Sequence, residues 1–244
     1  MFIGKYQDFN VAIKQIKDSS EDNVKQALRE IDILKSVCGI NVVKFYGAVV
    51  TEEKILQVTE LMDLGSLEKL LKKEKLNMEM KIKIMQEVAV GMESIHNENI
   101  IHRDLKPDNV LCKSPLSLDN EELCKITDFG TSRAVDVLHA MTMTKGQGTP
   151  LYMAPEVLAG TEHYSKSVDV YSYGILMWSV LSDGAMPYSE YTFKNALMLQ
   201  NAIVEGTRPQ INEEWPPDLV ELMKVCWSKD ASDRPTFNRM QYLS

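Results

Sequence analysis

This sequence is poor in the features that assign a protein quickly. Its four cysteines (Cys38, Cys112, Cys124 and Cys226) form no CxxC pair, and they show no metal-ligand spacing with the four histidines. That argues against a disulfide framework or a zinc module, and it reads as reduced, buried thiols in a cytosolic protein. Cys112 and Cys124 bracket a loop and can be neighbours, which alone argues for no disulfide. No apolar run is long enough to cross a membrane. The longest uncharged stretch, Val170 to Ser182, falls short of the roughly 18–20 residues a span needs and reads as a buried core helix. Positive charge is not in excess either. Lys and Arg number 27 against 35 Asp and Glu, a net charge of −8, which argues against bulk attraction to nucleic acid or anionic membrane. Any anion must be held by a local site. There is no internal repeat, no low-complexity tract and no visible signal peptide, since Met1 leads straight into a strand pattern.

What is present is ordinary in bulk and specific in detail. A chain of 244 residues, 44% hydrophobic and 25% charged, can bury a substantial core as one large domain or two lobes. Phe2–Tyr6 and Val11–Ile16 flank a polar bend and predict a β-hairpin. Strand alternation puts Ala12 and Lys14 on one face. A small residue beside a cation suits a flat anionic ligand, and an exposed lysine on a surface strand is the other reading. Ser19 or Ser20 can cap a helix whose apolar stripe is Val24, Ala27, Leu28, Ile31 and Leu34. Glu30 lies at the edge of that stripe, where a carboxylate needs a cation, and Lys14 is the nearest candidate. Val42–Val50 and Lys54–Thr59 read as strands, Glu60–Gly65 as a connector, and Ser66 as the cap of the next helix. From Asn77 a long amphipathic helix carries Ile82, Met85, Val88, Ala89, Met92 and Ile95, and helical patterns dominate again after Val168. The expectation is a small β-rich lobe (1–64, with its connector) and a larger helical lobe (65–244).

The chemistry lies in two polar loops, IIHRDLKPDNVL (100–111) and ITDFG (126–130), anchored by short strands at Val110–Leu111 and Ile126. Asp104, Asn109 and Asp128 are oxygen ligands of the kind that suits Mg²⁺ rather than zinc, and Lys106 beside them suits a phosphate. Any one of these residues, taken alone, reads as a solvated loop side chain.

Together with VAIK (11–14), Glu30, and APE (154–156), these motifs resemble the protein kinase family over nearly the whole chain. DVYSYG (169–174) and CWSKDASDRPTF (226–237) are similar to its later helices, and the CW…RP.F ending and the GSL after the connector resemble the tyrosine-kinase-like branch. The resemblance implies an α+β, two-lobed protein kinase fold and an enzyme that moves the γ-phosphate of ATP, with Mg²⁺, to protein hydroxyls. Lys14 would grip the α- and β-phosphates with Glu30 as its partner, Asp128 and Asn109 would hold Mg²⁺, Asp104 would accept the hydroxyl proton, and Lys106 would steady the transferring phosphate. Ala12 and Leu111 would sandwich adenine, the main chain of Glu60 and Met62 would meet its edge, and Thr59 would be the gatekeeper. Lys106 and GTPLYMAPE imply Ser/Thr specificity, with Thr149 packed by Asp104 and Lys106. A pseudokinase used as a binding or scaffold module, and a small-molecule kinase of related fold, are the competing readings.

Several residues read as structural. His102 is expected to be packed and not a base, and Glu156 with Arg234 to form a buried ion pair. Tyr171, Tyr173, Met177 and Trp178 are expected in the core, and Lys69, Lys72, Lys73 and Lys75 on a solvated face. Arg103 implies a phosphate partner on the activation segment at Thr142 or Thr144, placed there by an upstream kinase or by trans-autophosphorylation. The partners implied are protein substrates, with no nucleic acid and no membrane segment. The implied location is cytoplasmic, alone or as the intracellular part of a larger membrane protein. The sequence departs from the family in one respect, for it contains no GxGxxG. By spacing that loop would lie upstream of Met1, so an N-terminally truncated domain with weakened MgATP binding is expected.

Overall fold

The computed structural model describes residues 1–16, 21–51, 54–130, 132–134, 150–161 and 164–240. Ser19, Ser20, Thr131, Thr142, Thr144 and Thr149 lie outside the described residues, and so do the expectations that rest on them.

The predicted hairpin forms as β1 (Phe2–Tyr6) and β2 (Phe9–Ile16), followed by α1 (Glu21–Ser36), β3 (Phe45–Val50) and β4 (Ile55–Glu60). The strands make one antiparallel sheet in the order β1-β2-β4-β3. α1 lies on one face of it, where Ala27 and Ile31 pack with Ile55, Ile16, Phe45 and Ala48. The stripe is narrower than its periodicity suggests: Leu28 is exposed, because the contact runs along Ala27, Ile31 and Leu34 and leaves position 28 on the solvent side. Val42 and Val43 do not extend β3 as expected. Their main chain is committed elsewhere, Val43 N–H donating to Ile126 O at 2.9 Å while Ile126 N–H donates to Asn41 O at 2.9 Å. Cys38, expected to be buried, is exposed in the same turn.

The chain continues through β5 (Gly65–Ser66), α2 (Leu67–Lys73), α3 (Met78–Asn97), β6 (Ile100–Ile101), β7 (Val110–Cys112), β8 (Cys124–Ile126) and β9 (Arg133–Ala134). α4 (Pro155–Leu158), α5 (Ser167–Leu181), α6 (Ala196–Glu205), α7 (Pro217–Cys226) and α8 (Phe237–Met240) follow. Ser66 and Asn77 cap α2 and α3 by accepting from Lys69 N–H and Met80 N–H. α5 is buried along almost its whole length, as its unbroken apolar run requires, and Tyr171, Tyr173, Met177 and Trp178 are core residues. β5, β7 and β8 form a small sheet, and β6 pairs with β9. Cys112 and Cys124 stand opposite one another in that sheet with their sulfurs 3.3 Å apart, both as free thiols. The result is an α+β molecule with an antiparallel sheet and one helix in its first part and a helical second part.

Candidate active site

Lys14 stands on β2 on the face covered by α1, and Glu30 comes down to it from the helix. Lys14 Nζ donates to Glu30 Oε1 at 2.8 Å and Oε2 at 3.1 Å. Asp128 Oδ1, from the loop after β8, lies 3.7 Å from the same ammonium. Burial opposes the charge on Lys14, but Glu30 and Asp128 outweigh it and raise its pKa above the ordinary lysine value. Glu30 is only 6% exposed, so it is a buried carboxylate whose counter-charge comes from the sheet. A second tie runs from α1 to the same loop, Gln26 Nε2 donating to Gly130 O at 2.9 Å.

The loop between β6 and β7 supplies the other half. Lys106 Nζ donates to both oxygens of Asp104, at 2.9 and 2.8 Å. Asn109 Nδ2 donates to Asp104 O at 2.7 Å and to Asp104 Oδ2 at 2.8 Å, which leaves its own side-chain oxygen as the acceptor. Thr127 N–H bonds to Asn109 O at 3.0 Å and couples this loop to the one that carries Asp128. His102 is fully buried, bonded through Nε2 to Thr127 O and edge-on to Phe129, so it is packed as expected.

Ala12 and Thr59 are cross-strand partners on β2 and β4, while Leu111 on β7 is partly exposed. Met62 is buried in the connector. The Glu60 N–H is already bonded to Lys44 O at 2.9 Å, so of its two main-chain groups only the carbonyl suits an adenine edge. Its side chain has a further role that the sequence reading missed. Glu60 Oε1 accepts from Lys44 N–H at 2.7 Å and from the buried Lys125 Nζ of β8 at 2.9 Å. Asp169 was also missed. This carboxylate on α5 is fully buried and accepts from His102 N–H and Arg103 N–H at 2.8 Å each, and contacts His96 Nε2 at 2.8 Å. Burial pushes its pKa up, but the His96 contact and these donors prevail and hold it low. It supports Arg103 in a backbone conformation with φ of 70°. An acidic residue between Val168 and Val170 at the start of an apolar helix was the available signal.

Glu156 and Arg234 meet as expected, at 2.6 Å, with the Arg234 side chain fully buried. Lys69, Lys72, Lys73 and Lys75 are exposed, although Lys75 lies beyond the end of α2. A cavity of about 610 Å³ opens beside Lys106 and Asn109, lined also by Glu68, Asp108, Tyr152 and Met186.

The oxygen donors fit a magnesium nucleotide. Among the described residues no three His, Cys, Asp or Glu side chains converge as a metal site. Magnesium, however, is commonly held by one or two protein oxygens with phosphates and waters completing the shell. Asp128, with its side chain 48% exposed, and Asn109 supply that number.

A family model described as protein tyrosine and serine/threonine kinase matches residues 2–243. The chain is 37% identical, over 96% of its length, to a putative serine/threonine-protein kinase/receptor of Acanthamoeba polyphaga mimivirus, of which it covers 14%. It is 36% identical, over 97% of its length, to a serine/threonine-protein kinase of Arabidopsis thaliana, covering 40% of that protein. It is also 33% identical, over 95% of its length, to the human Ephrin type-A receptor 1, of which it covers 23%. The chain thus spans less than half of each of these relatives.

Proposed function

We propose, since the chain belongs to the protein tyrosine and serine/threonine kinase family, that its site moves the terminal phosphate of MgATP to Ser and Thr hydroxyls of protein substrates. The observation that carries this reading is the pairing of Lys14 with Glu30 and Asp128, and of Asp104 with Lys106 and Asn109, the loops of Asp128 and Asp104 being tied together by the Thr127 N–H bond to Asn109 O. MgATP, when bound, supplies the phosphoryl group and the cation that neutralises its charge. Lys14 binds the inner phosphates, and Glu30 keeps the ammonium aimed at them. Asn109 and Asp128 offer oxygens to the cation. The substrate hydroxyl attacks the terminal phosphorus and gives its proton to Asp104 as the bond to the bridging oxygen breaks. Lys106, between Asp104 and the incoming phosphate, offsets the charge that builds up there. Little covalent chemistry is asked of the protein, so placement and charge do most of the work. Ala12 and Leu111 flank the base, with Thr59 behind it and the Glu60 carbonyl and Met62 at its edge.

Ser/Thr specificity rests on Lys106 and the GTPLYMAPE run, and on the names of the mimivirus and plant relatives. The cavity lined by Lys106 and Asn109, both bonded to Asp104, offers protein acceptors a way to that carboxylate. Phosphate on Thr142 or Thr144 would pair with Arg103 through charge-assisted hydrogen bonds. A cytoplasmic location suits this chemistry.

The test is transfer of labelled γ-phosphate to a generic protein acceptor, followed by phosphoamino-acid analysis. Label on Ser and Thr, lost in Asp104→Asn, is expected. Equal label from both proteins would reject the enzyme in favour of a binding module, and label on Tyr alone would reject the substrate class. Wild-type activity in a Thr142→Ala/Thr144→Ala double variant would remove the switch.

A further inference from the structure

The row of side chains that includes Lys14 contains a polar group that packing does not explain. Lys14 on β2, Gln57 on β4 and Ala48 on β3 stand opposite one another in the sheet. Side chains of such cross-strand partners share a face, and α1 covers this one. Gln57 is 2% exposed, and its Nε2 has no hydrogen-bond partner among the described residues. Leucine would fill similar space here and leave no donor unpaired, a condition that costs stability. The carboxylate of Glu30 lies in the same buried layer, bonded to Lys14 through each oxygen. A carboxylate has about four acceptor positions, so it has capacity for a second donor.

We propose that Gln57 is a positioning residue for Lys14, whose amide donates to Glu30 when the ammonium is drawn towards the phosphates of a bound nucleotide. The inference rests on the reading of Lys14 as the phosphate-binding lysine. In the free protein the ammonium is bonded to both Glu30 oxygens, at 2.8 and 3.1 Å, with Asp128 Oδ1 farther off at 3.7 Å. As the ammonium is shared with the phosphates, Glu30 keeps only part of its counter-charge, and a buried carboxylate without a full partner is costly. A neutral donor in the same layer lowers that cost. The terminal torsion of glutamine is broad, so the amide can reorient while the strand stays in place. Ala48, the smallest side chain in the row, leaves room for it. Gln57 thereby trades stability of the free protein for affinity in the nucleotide complex.

The experiment compares wild type, Gln57→Leu and Gln57→Glu by thermal unfolding without nucleotide and by calorimetric titration with MgATP. Gln57→Leu is expected to raise the nucleotide-free Tm by about 2–4 °C, since the unpaired donor is gone, and to weaken MgATP about fivefold or more. A residue with a purely structural role would lower the Tm, the opposite sign. Gln57→Glu keeps the shape and removes the donor, so its MgATP affinity should fall at least as far. Unchanged affinity in Gln57→Leu, wild-type affinity in Gln57→Glu, or a lowered Tm in Gln57→Leu would each overturn the proposal. If wild type itself gives no MgATP titration, the reading of Lys14 fails first, and the role of Gln57 falls with it.

Discussion

At Gly91 a Cβ would lie 2.5 Å from the carbonyl oxygen of Asn41 and 2.8 Å from Ile126 Cδ1. That oxygen accepts from Ile126 N–H, and Asn41 Nδ2 donates to Cys124 O, so the missing side chain lets α3 press the turn before β3 onto β8. Gly91→Ala should therefore cost about 1–3 kcal/mol, the usual range for overpacking, read as a lower urea midpoint. A wild-type midpoint would mean that α3 can slide aside. Lys14 carries a second prediction at this scale. Its folded pKa is raised above 10.5, so the Lys14–Glu30 contribution is complete below that pH and is lost as pH rises through the folded value. The difference in Tm between wild type and Lys14→Met should be flat from about pH 6 to 9 and shrink above about pH 10.5. A difference that vanishes by pH 8 would show the ammonium to be unpaired in solution. The same variant should lose phosphoryl transfer and keep its fold.

Among the elements, α5 does more than fill the core. Its Asp169 holds the backbone of His102 and Arg103, and through that loop the position of Asp104. Near its start Arg234 donates to Ser167 O and to both oxygens of Glu156, tying α4 and α5 to the segment after α7. Taking one partner from a buried pair strands the other, typically at about 3–5 kcal/mol. Arg234→Ala should fall in that range. Glu156→Ala should cost about as much, because it strands the fully buried Arg234 guanidinium. The double variant should be less than additive in a denaturation cycle, and strict additivity would mean that the two do not interact.

Across the whole molecule, the sheet and the helical part are joined by more than the connector. Lys125 reaches from β8 to Glu60, Gln26 to Gly130, and Asn41 to Cys124 and Ile126, all around the site. A ligand that bridges both parts should stabilise the chain as a unit. Above its dissociation constant, each tenfold rise in MgATP adds about 1.4 kcal/mol, or roughly 3–5 °C in Tm for a chain of this size. Asp128→Ala should shift the onset of that dependence to higher MgATP concentration. An onset at the wild-type concentration would show that Asp128 does not hold the nucleotide's cation.

The amino-acid sequence by itself determined the pairing of Lys14 with Glu30, because strand alternation and helical spacing are local rules that set which face a residue occupies. It determined the Asp104, Lys106 and Asn109 cluster for the same reason, since residues within one six-residue stretch cannot stray far from each other. Tertiary structure alone decided the rest. Periodicity marks a helix face but not its width, which depends on what packs against it, so Leu28 was read as buried and lies in solvent. Asp169 and Glu60 act on partners 66 and 16 residues away, and Lys125 meets Glu60 only because β8 folds against the connector. No local rule brings such groups together: burying a charge demands a counter-charge or donors, and which residue supplies them is decided when the chain closes on itself.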